Sequence, residues 1–393
     1  MTRIAYIVAD PGIPVFGRKG ASVHVQAIVR AARARGHEVH VFAASRGDDV
    51  PSDLAELPVS VEPVGSAPAE RRERAQRTAA ERLADAAVRW GPDVVYERLS
   101  LFSTAGARAA AGASARLIVE VNSPLVEEQA RHRVLVDEEG ALADVAATLA
   151  AADTVIAVSA PVAAWAVRRG ADPARTRVVP NGVDPARFVP ADPAAAPPTG
   201  RGEGRRPITV GFVGTLKPWH GTQTLVDALA LARNAGADLT LRVVGDGPER
   251  RELSRRADAA GVPAVFTGSL APEDVPKEYA LMDIATAPYP AEADDYFSPL
   301  KVVEYLAAGV PVVASRVGQI PRLIDGCGVL VPPGDPAALA TALSDLAADP
   351  ERRTALATAG RARAVERHSW DGVLEASLAP STSPAPAATR VAS

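Results

Sequence analysis

The sequence has little cysteine: Cys327 is the single one in 393 residues. One thiol excludes an intrachain disulfide and a thiolate metal cluster. Its neighbours, Asp325-Gly-Cys-Gly328, read as a turn in which a partly buried, inert thiol is favoured over a reactive one. Positive charge is not in excess either. Lys and Arg number 43 against 47 Asp and Glu, for a net charge of −4 and a pI near 6.0. No overall basic field argues for nucleic acid, although a local basic patch on one face is compatible with that total. Long apolar runs are missing as well, and none approaches the length that spans a bilayer. After Met-Thr-Arg only Ile4 to Ala9 are apolar, too few for a secretory signal. A cytoplasmic protein with no transmembrane segment is expected, with peripheral membrane contact and oligomeric state left open.

What is present is enough apolar content, 47%, for sizeable cores in a chain long enough for two domains. Ile4 to Ala9 reads as a buried strand, followed by a glycine-rich loop (12–20) and a helix capped by Ser22. Val25, Ile28, Val29 and Ala32 line one face of that helix, and Gly36 ends it. Val39 to Ala43 is the next strand. This order opens a doubly wound parallel sheet. A charged helical region (65–90) and short apolar strands at 94–96, 117–121 and 154–158 continue the half. Residues 190 to 207 carry Pro, Ala, Gly and Arg without periodicity and read as a linker.

The pattern then restarts with Ile208 to Val213, a loop to Gly221, and a helix over 222–233 with Leu225, Ala228, Leu229 and Ala232 inward. Strands follow at 239–244, 264–267, 284–287 and 310–314. The expected organisation is therefore an N-terminal Rossmann-like domain over 1–190, a linker over 191–207 and a C-terminal Rossmann-like domain over 208–370. A Ser/Pro/Ala tail over 381–393 reads as disordered. In open parallel sheets ligands bind beyond the carboxyl ends of the strands. The glycine-rich loops follow strands, so a cleft between facing strand ends is the expected site.

The stretch Tyr296-Phe-Ser-Pro-Leu-Lys-Val-Val-Glu-Tyr-Leu-Ala-Ala-Gly309 carries the most chemistry. Ser298 is a good N-cap, Pro299 suits the first helical position and Gly309 can close the helix. The unpaired amides at the start of such a helix suit a phosphate. One turn on, Glu304 offers a carboxylate to a sugar diol. A plainer reading stands beside this one: Lys301 and Glu304, three apart, pair on a solvated helix face.

Taken together, a series of motifs resembles the retaining glycosyltransferase family 4, over nearly the whole chain to about residue 375. They are Gly17-Arg-Lys-Gly20 with His24 and Val25; Arg35-Gly-His-Glu-Val39; Val179-Pro-Asn-Gly-Val-Asp184 with Phe188; and Phe212-Val-Gly-Thr-Leu216. Further on come Gly245-Asp-Gly-Pro248, Phe266-Thr-Gly268, Glu304 followed by Ala307 to Ala314, and Ser369-Trp370. The resemblance implies a GT-B fold, two Rossmann-like doubly wound parallel-sheet domains facing across a cleft. It makes 1–190 the acceptor domain and 208–370 the nucleotide-sugar donor domain, with a helix at about 371–380 crossing back to the first. It implies transfer of a sugar from a nucleotide diphosphate donor to an acceptor hydroxyl or amine, with retention, no protein nucleophile, no cofactor and no required metal. Glu304 would bind the ribose hydroxyls, and backbone amides at Leu300 and Lys301 the diphosphate. Gly17, Gly20, Gly214, Thr215, Gly245, Gly268, Leu270 and Ser298 complete the donor-side candidates.

Three positions depart from the family pattern. The first glutamate of its pair would fall eight residues before Glu304, where the chain has Tyr296, preceded by Asp294 and Asp295. Thr215 and His220 stand where the family has basic residues, leaving Lys217 as the nearest cation. Lys217, His220 (if protonated), Asp295 and Tyr296 are thus the catalytic candidates. Asn122 holds the place of a donor-site histidine, and His24, Arg98, Glu120 and Asn122 are the acceptor-side candidates. His220 and His24 are equally well read as a loop-end and a packed histidine. A nucleotide-sugar epimerase or hydrolase on the same scaffold, and a non-catalytic nucleotide-sugar-binding protein, are the other two readings.

Overall fold

The computed structural model describes residues 1–190, 199, 206–293 and 296–380. They form two compact units, Met1–Pro180 with the chain from Val373 onward, and Asn181–Gly372. Residues 181–190, read from sequence with the first half, thus pack with the second. The tail over 381–393 and most of the linker lie outside the described residues, as do Asp294 and Asp295.

In the first unit seven strands make one parallel sheet. They are β1 (Arg3–Val8), β2 (Glu38–Ala43), β3 (Val59–Val61), β4 (Val94–Arg98), β5 (Arg116–Val121), β6 (Thr154–Ala157) and β7 (Thr176–Val178), in the order β3-β2-β1-β4-β5-β6-β7. Ile4 to Val8 are buried without alternation, as a strand covered by helices on both faces must be. The order reverses between β1 and β4, which makes their carboxyl ends the switch point. The first helix begins at Gly20, with Lys19 at the cap position, and not at Ser22. Ser22 is buried inside the helix, where its neighbour Gly17 leaves room for it. The helix Trp370–Leu378 ends in the first unit: Arg116 donates to the carbonyls of Leu378 and Ala379, and Arg177 to that of Ala376.

The second unit repeats the plan with six parallel strands. These are β8 (Ile208–Val213), β9 (Leu239–Val244), β10 (Ala264–Phe266), β11 (Ile284–Ala287), β12 (Val312–Ser315) and β13 (Gly328–Val331), in the order β10-β9-β8-β11-β12-β13. One core cluster packs Leu225, Leu229, Leu253, Leu339 and Leu343 against the sheet. The other is built around Tyr279, Val302, Tyr305, Leu306 and Ile320. Tyr305 fixes the helix Leu300–Ala307 to the switch point: its hydroxyl accepts from Val213 N–H at 2.9 Å and donates to the Thr286 carbonyl at 3.2 Å. Those two residues belong to β8 and β11, the pair between which the strand order reverses.

Cys327 is buried, and burial pushes its thiol up. Among the described residues no helix is long and apolar enough to cross a membrane, and no group of three or more His, Cys, Asp or Glu is arranged to hold a metal ion.

Candidate active site

The strand-end loops of the second unit converge on the start of the helix that carries Glu304. Gly214 follows β8 with φ +145°, a conformation an L side chain rarely adopts. A Cβ there would stand 2.9 Å from Lys301 Nζ. Gly245, at the end of β9 with φ +134°, packs so closely that a Cβ would overlap the Gly214 carbonyl oxygen. Its N–H donates to Gly268 O at 3.0 Å, tying in the turn after β10. Gly214, Gly245 and Gly268 thus meet in one place, and Leu270 packs behind them on the second core cluster.

The helix begins at Leu300, with Pro299 at the cap position and no side-chain cap. The expected Ser298 cap is not formed. Instead Ser298 Oγ accepts from the Asn181 N–H at 3.1 Å, while Asn181 Nδ2 donates to Ser298 O at 2.7 Å. Asn181 therefore holds the approach to the helix and leaves its first amides uncapped by any described side chain; such amides have no partner inside the helix. Gly309 closes the helix at φ +66°, as its position suggests.

Lys301 and Glu304 do not pair on a solvated face. Glu304 accepts from Tyr279 OH at 2.6 Å, and its carboxyl is raised by burial, against the pull of Tyr279, Arg187 and Lys301. Lys301 Nζ is buried and makes no hydrogen bond with a described residue. It lies 4.2 Å from the ring centroid of Phe212 and 5.5 Å from that of Tyr289. Such contacts are worth about 0.5–2 kcal/mol, much less than an isolated buried ammonium costs.

His220 is not a cation here. Burial and the nearby Lys301 bring it down to about 3, and its Nδ1 faces the Thr215 carbonyl. The ring sits among Phe212, Trp219 and Tyr289. With Nδ1–H donating to that carbonyl, Nε2 is left as an acceptor, the wrong polarity for a phosphate. Lys217 precedes the short turn Pro218–His220 and leans 5.4 Å over the Trp219 ring, and Thr215 is exposed beside it. Tyr296 is half-buried, next to Phe297, whose ring lies 4.6 Å from Tyr289. Asp295 falls outside the described residues.

In the first unit the four acceptor-side candidates come together on Glu120, at the end of β5. Its carboxylate accepts from His24 Nε2 at 2.8 Å, Tyr96 OH at 2.7 Å, Arg98 Nη1 at 3.0 Å and Asn122 Nδ2 at 2.5 Å. Burial alone would raise this carboxyl, but His24, Arg98 and Asn122 outweigh it and hold it at about 2. Glu97, next to Arg98 on β4, points to the opposite face. It packs against Gly106, takes a bond from Ser103 Oγ at 3.2 Å, and is pushed up to about 7 by burial. The glycine loop adjoins this cluster through the same helix: Gly17 O accepts from Gln26 Nε2 at 3.1 Å, and Gly20 is the first helical residue.

Sequence reasoning missed Tyr96 and Tyr279, which orient the two key carboxylates, and the aromatic faces around Lys301. Tyr96, Tyr279 and Tyr289 belong to none of the motifs above, Phe212 only opens one of them, and each partner is remote in the chain.

Two Rossmann-like units of this topology define the GT-B architecture, and solved structures share it. HepE of Anabaena, in complex with UDP and glucose, aligns with a TM-score of 0.70 at 22% identity, covering 96% of this chain and 98% of that one. WaaG, a glycosyltransferase involved in lipopolysaccharide biosynthesis, aligns at 0.69 and 19% identity, covering 95% and 98%. Residues 18–187 match the model of Glycosyltransferase Family 4, and residues 207–349 that of Glycosyl transferases group 1. The chain thus carries a glycosyltransferase family 4 domain followed by a glycosyl transferases group 1 domain. Among sequence relatives, the GDP-mannose-dependent alpha-(1-6)-phosphatidylinositol monomannoside mannosyltransferase of Mycolicibacterium smegmatis is 37% identical over 200 residues, 49% of this chain and 52% of that protein. The chain thus spans about half the length of the curated relatives it matches.

Proposed function

We propose that this chain transfers a sugar from a nucleoside diphosphate to an acceptor hydroxyl or amine, with retention at the anomeric carbon. The observation that carries the reading is the meeting of the Gly214 turn with the start of the Glu304 helix at the carboxyl ends of β8 and β11. Amides of Leu300 and Lys301 face the diphosphate there, with Gly214 and Gly245 admitting it closely. Glu304, held by Tyr279, accepts from the ribose hydroxyls. Negative charge grows on the departing diphosphate, and each fixed donor aimed at it is worth on the order of 3 kcal/mol of barrier. Lys217 is a cation on the loop after β8.

Retention follows from attack on the face that the diphosphate leaves, with the leaving phosphate taking the acceptor proton. No side chain serves as nucleophile in this scheme. On the acceptor side Arg98 and Asn122 supply the contacts. Glu120, with four donors on its two oxygens, and His24 are positioning residues. The name of the mycobacterial relative places GDP-mannose first among donors to assay, and inositol-bearing acceptors first among acceptors.

Thermal melting with UDP, GDP, ADP and TDP tests the donor assignment. One of them at a hundredfold over its dissociation constant is expected to add about 2.7 kcal/mol to apparent stability, and hence to raise Tm. No shift with any of the four overturns the assignment. The anomer first transferred, read by NMR with the donor so identified, tests retention, and an inverted anomer overturns it.

A further inference from the structure

Lys301 entered the reading above only through its backbone amide, yet its side chain is the anomaly of the unit. The Nζ is covered, unbonded among the described residues, and pressed between the faces of Phe212 and Tyr289 beside Gly214. A buried amine with no acceptor is unfavourable as a charge, and the described residues offer it none. Glu304, on its own helix, is engaged by Tyr279 and answers to Arg187 as well. From the loop after β8 it faces His220, neutral and held so in part by Lys301 itself. From the segment after β11 it faces Tyr289, whose hydroxyl burial keeps protonated. Tyr305, behind it on the helix, is likewise held neutral. Among the described residues, nothing around the amine supplies a full negative charge in contact with it.

We propose that the Lys301 side chain is the counter-charge for the donor diphosphate, and that it takes up a proton as the diphosphate binds. The inference rests on the donor site proposed above. Its geometry is a covered amine at a helix start, next to Gly214, where a Cβ would stand 2.9 Å from Nζ. Burial brings the amine down to about 7, with Glu304 opposing only in part. A bound dianion favours the charged form and raises it again. The sign follows. Below about pH 7 the amine is already charged and affinity is level with pH. Above it binding must bring a proton, so affinity falls by up to about tenfold per pH unit until the bound amine itself titrates.

Nucleotide sugars make a clean probe, because their disubstituted diphosphate stays fully ionised through this range. Calorimetric titration of GDP-mannose and of UDP-glucose, in buffers of different ionisation heat between pH 6 and 9, counts the protons. Wild type is expected to take up about one proton at pH 8 to 9. Lys301→Met is expected to bind at least about tenfold more weakly and to take up none. Lys301→Arg, charged throughout, binds with no uptake and with affinity flat in pH. Melting curves of the empty variants report that each is folded. Binding with no uptake in wild type, or with equal uptake in Lys301→Met, overturns the inference and leaves the donor site standing. Failure of every nucleotide and nucleotide sugar to bind removes the donor site itself.

Discussion

Glu304→Gln is expected to weaken binding of the donor nucleotide by roughly tenfold to a hundredfold, with the fold intact. A hydrogen bond to a charged acceptor contributes about 1.5–3 kcal/mol, against 0.5–1.5 kcal/mol for a neutral one, and two ribose hydroxyls are served. Glutamine keeps an oxygen for Tyr279 OH, so the buried tyrosine is not orphaned. The loss therefore belongs to the ligand side. Calorimetric titration with the nucleoside diphosphate and with its 2′,3′-dideoxy form separates the terms. The dideoxy nucleotide is expected to bind both proteins alike, since the coupling lies between carboxylate and diol. An unchanged affinity for the ribonucleotide, or the same loss for both nucleotides, contradicts the role given to Glu304.

Glu120→Ala is expected to cost about 3–5 kcal/mol of stability, because it strands Arg98 and His24 in a buried setting without their anion. Urea unfolding measures it. The pH dependence gives a second handle. Glu120 is held at about 2, below the ordinary carboxylate range, so its contribution is fully present above about pH 4.5. It fades as pH falls towards 2, because the unfolded chain binds the proton first. Wild type is thus expected to lose stability across that window more steeply than Glu120→Gln. A variant within 1 kcal/mol of wild type, or parallel acid profiles, would contradict the hub.

Much of the fold was legible because burial on two faces writes continuous apolar strands and glycine marks their ends. Ile4 to Val8 and Ile208 to Val213 announce themselves in this way. Two of the edge strands did not. Val59–Val61 and Gly328–Val331 are three and four residues long and only partly buried, too short to carry a period. The Ser298 cap failed for a different reason. Capping preference is local, whereas the partner that claims Ser298 is Asn181, 117 residues away.

The site was legible to the extent that it is written in turns and helix starts. Gly214 and Gly245 stand out in sequence as strand-end glycines and Glu304 as a carboxylate one turn into a helix, whereas Gly268 enters only through the family resemblance. The state of the side chains was hidden. Lys301 and Glu304 look like a surface pair in one dimension; Tyr279 and the rings of Phe212 and Tyr289 separate them in three. His220 looks like a possible cation until burial and Lys301 are counted. Glu120 gathers donors from four positions, and His24, 96 residues before it, gives no sign in sequence of where its ring will point.

A crystal structure with the nucleoside diphosphate bound is the most direct test. The phosphates are expected within hydrogen-bond distance of the Leu300 and Lys301 amides beside Gly214, with the ribose diol on Glu304. A nucleotide lodged elsewhere, with that helix start and carboxylate untouched, would contradict the account.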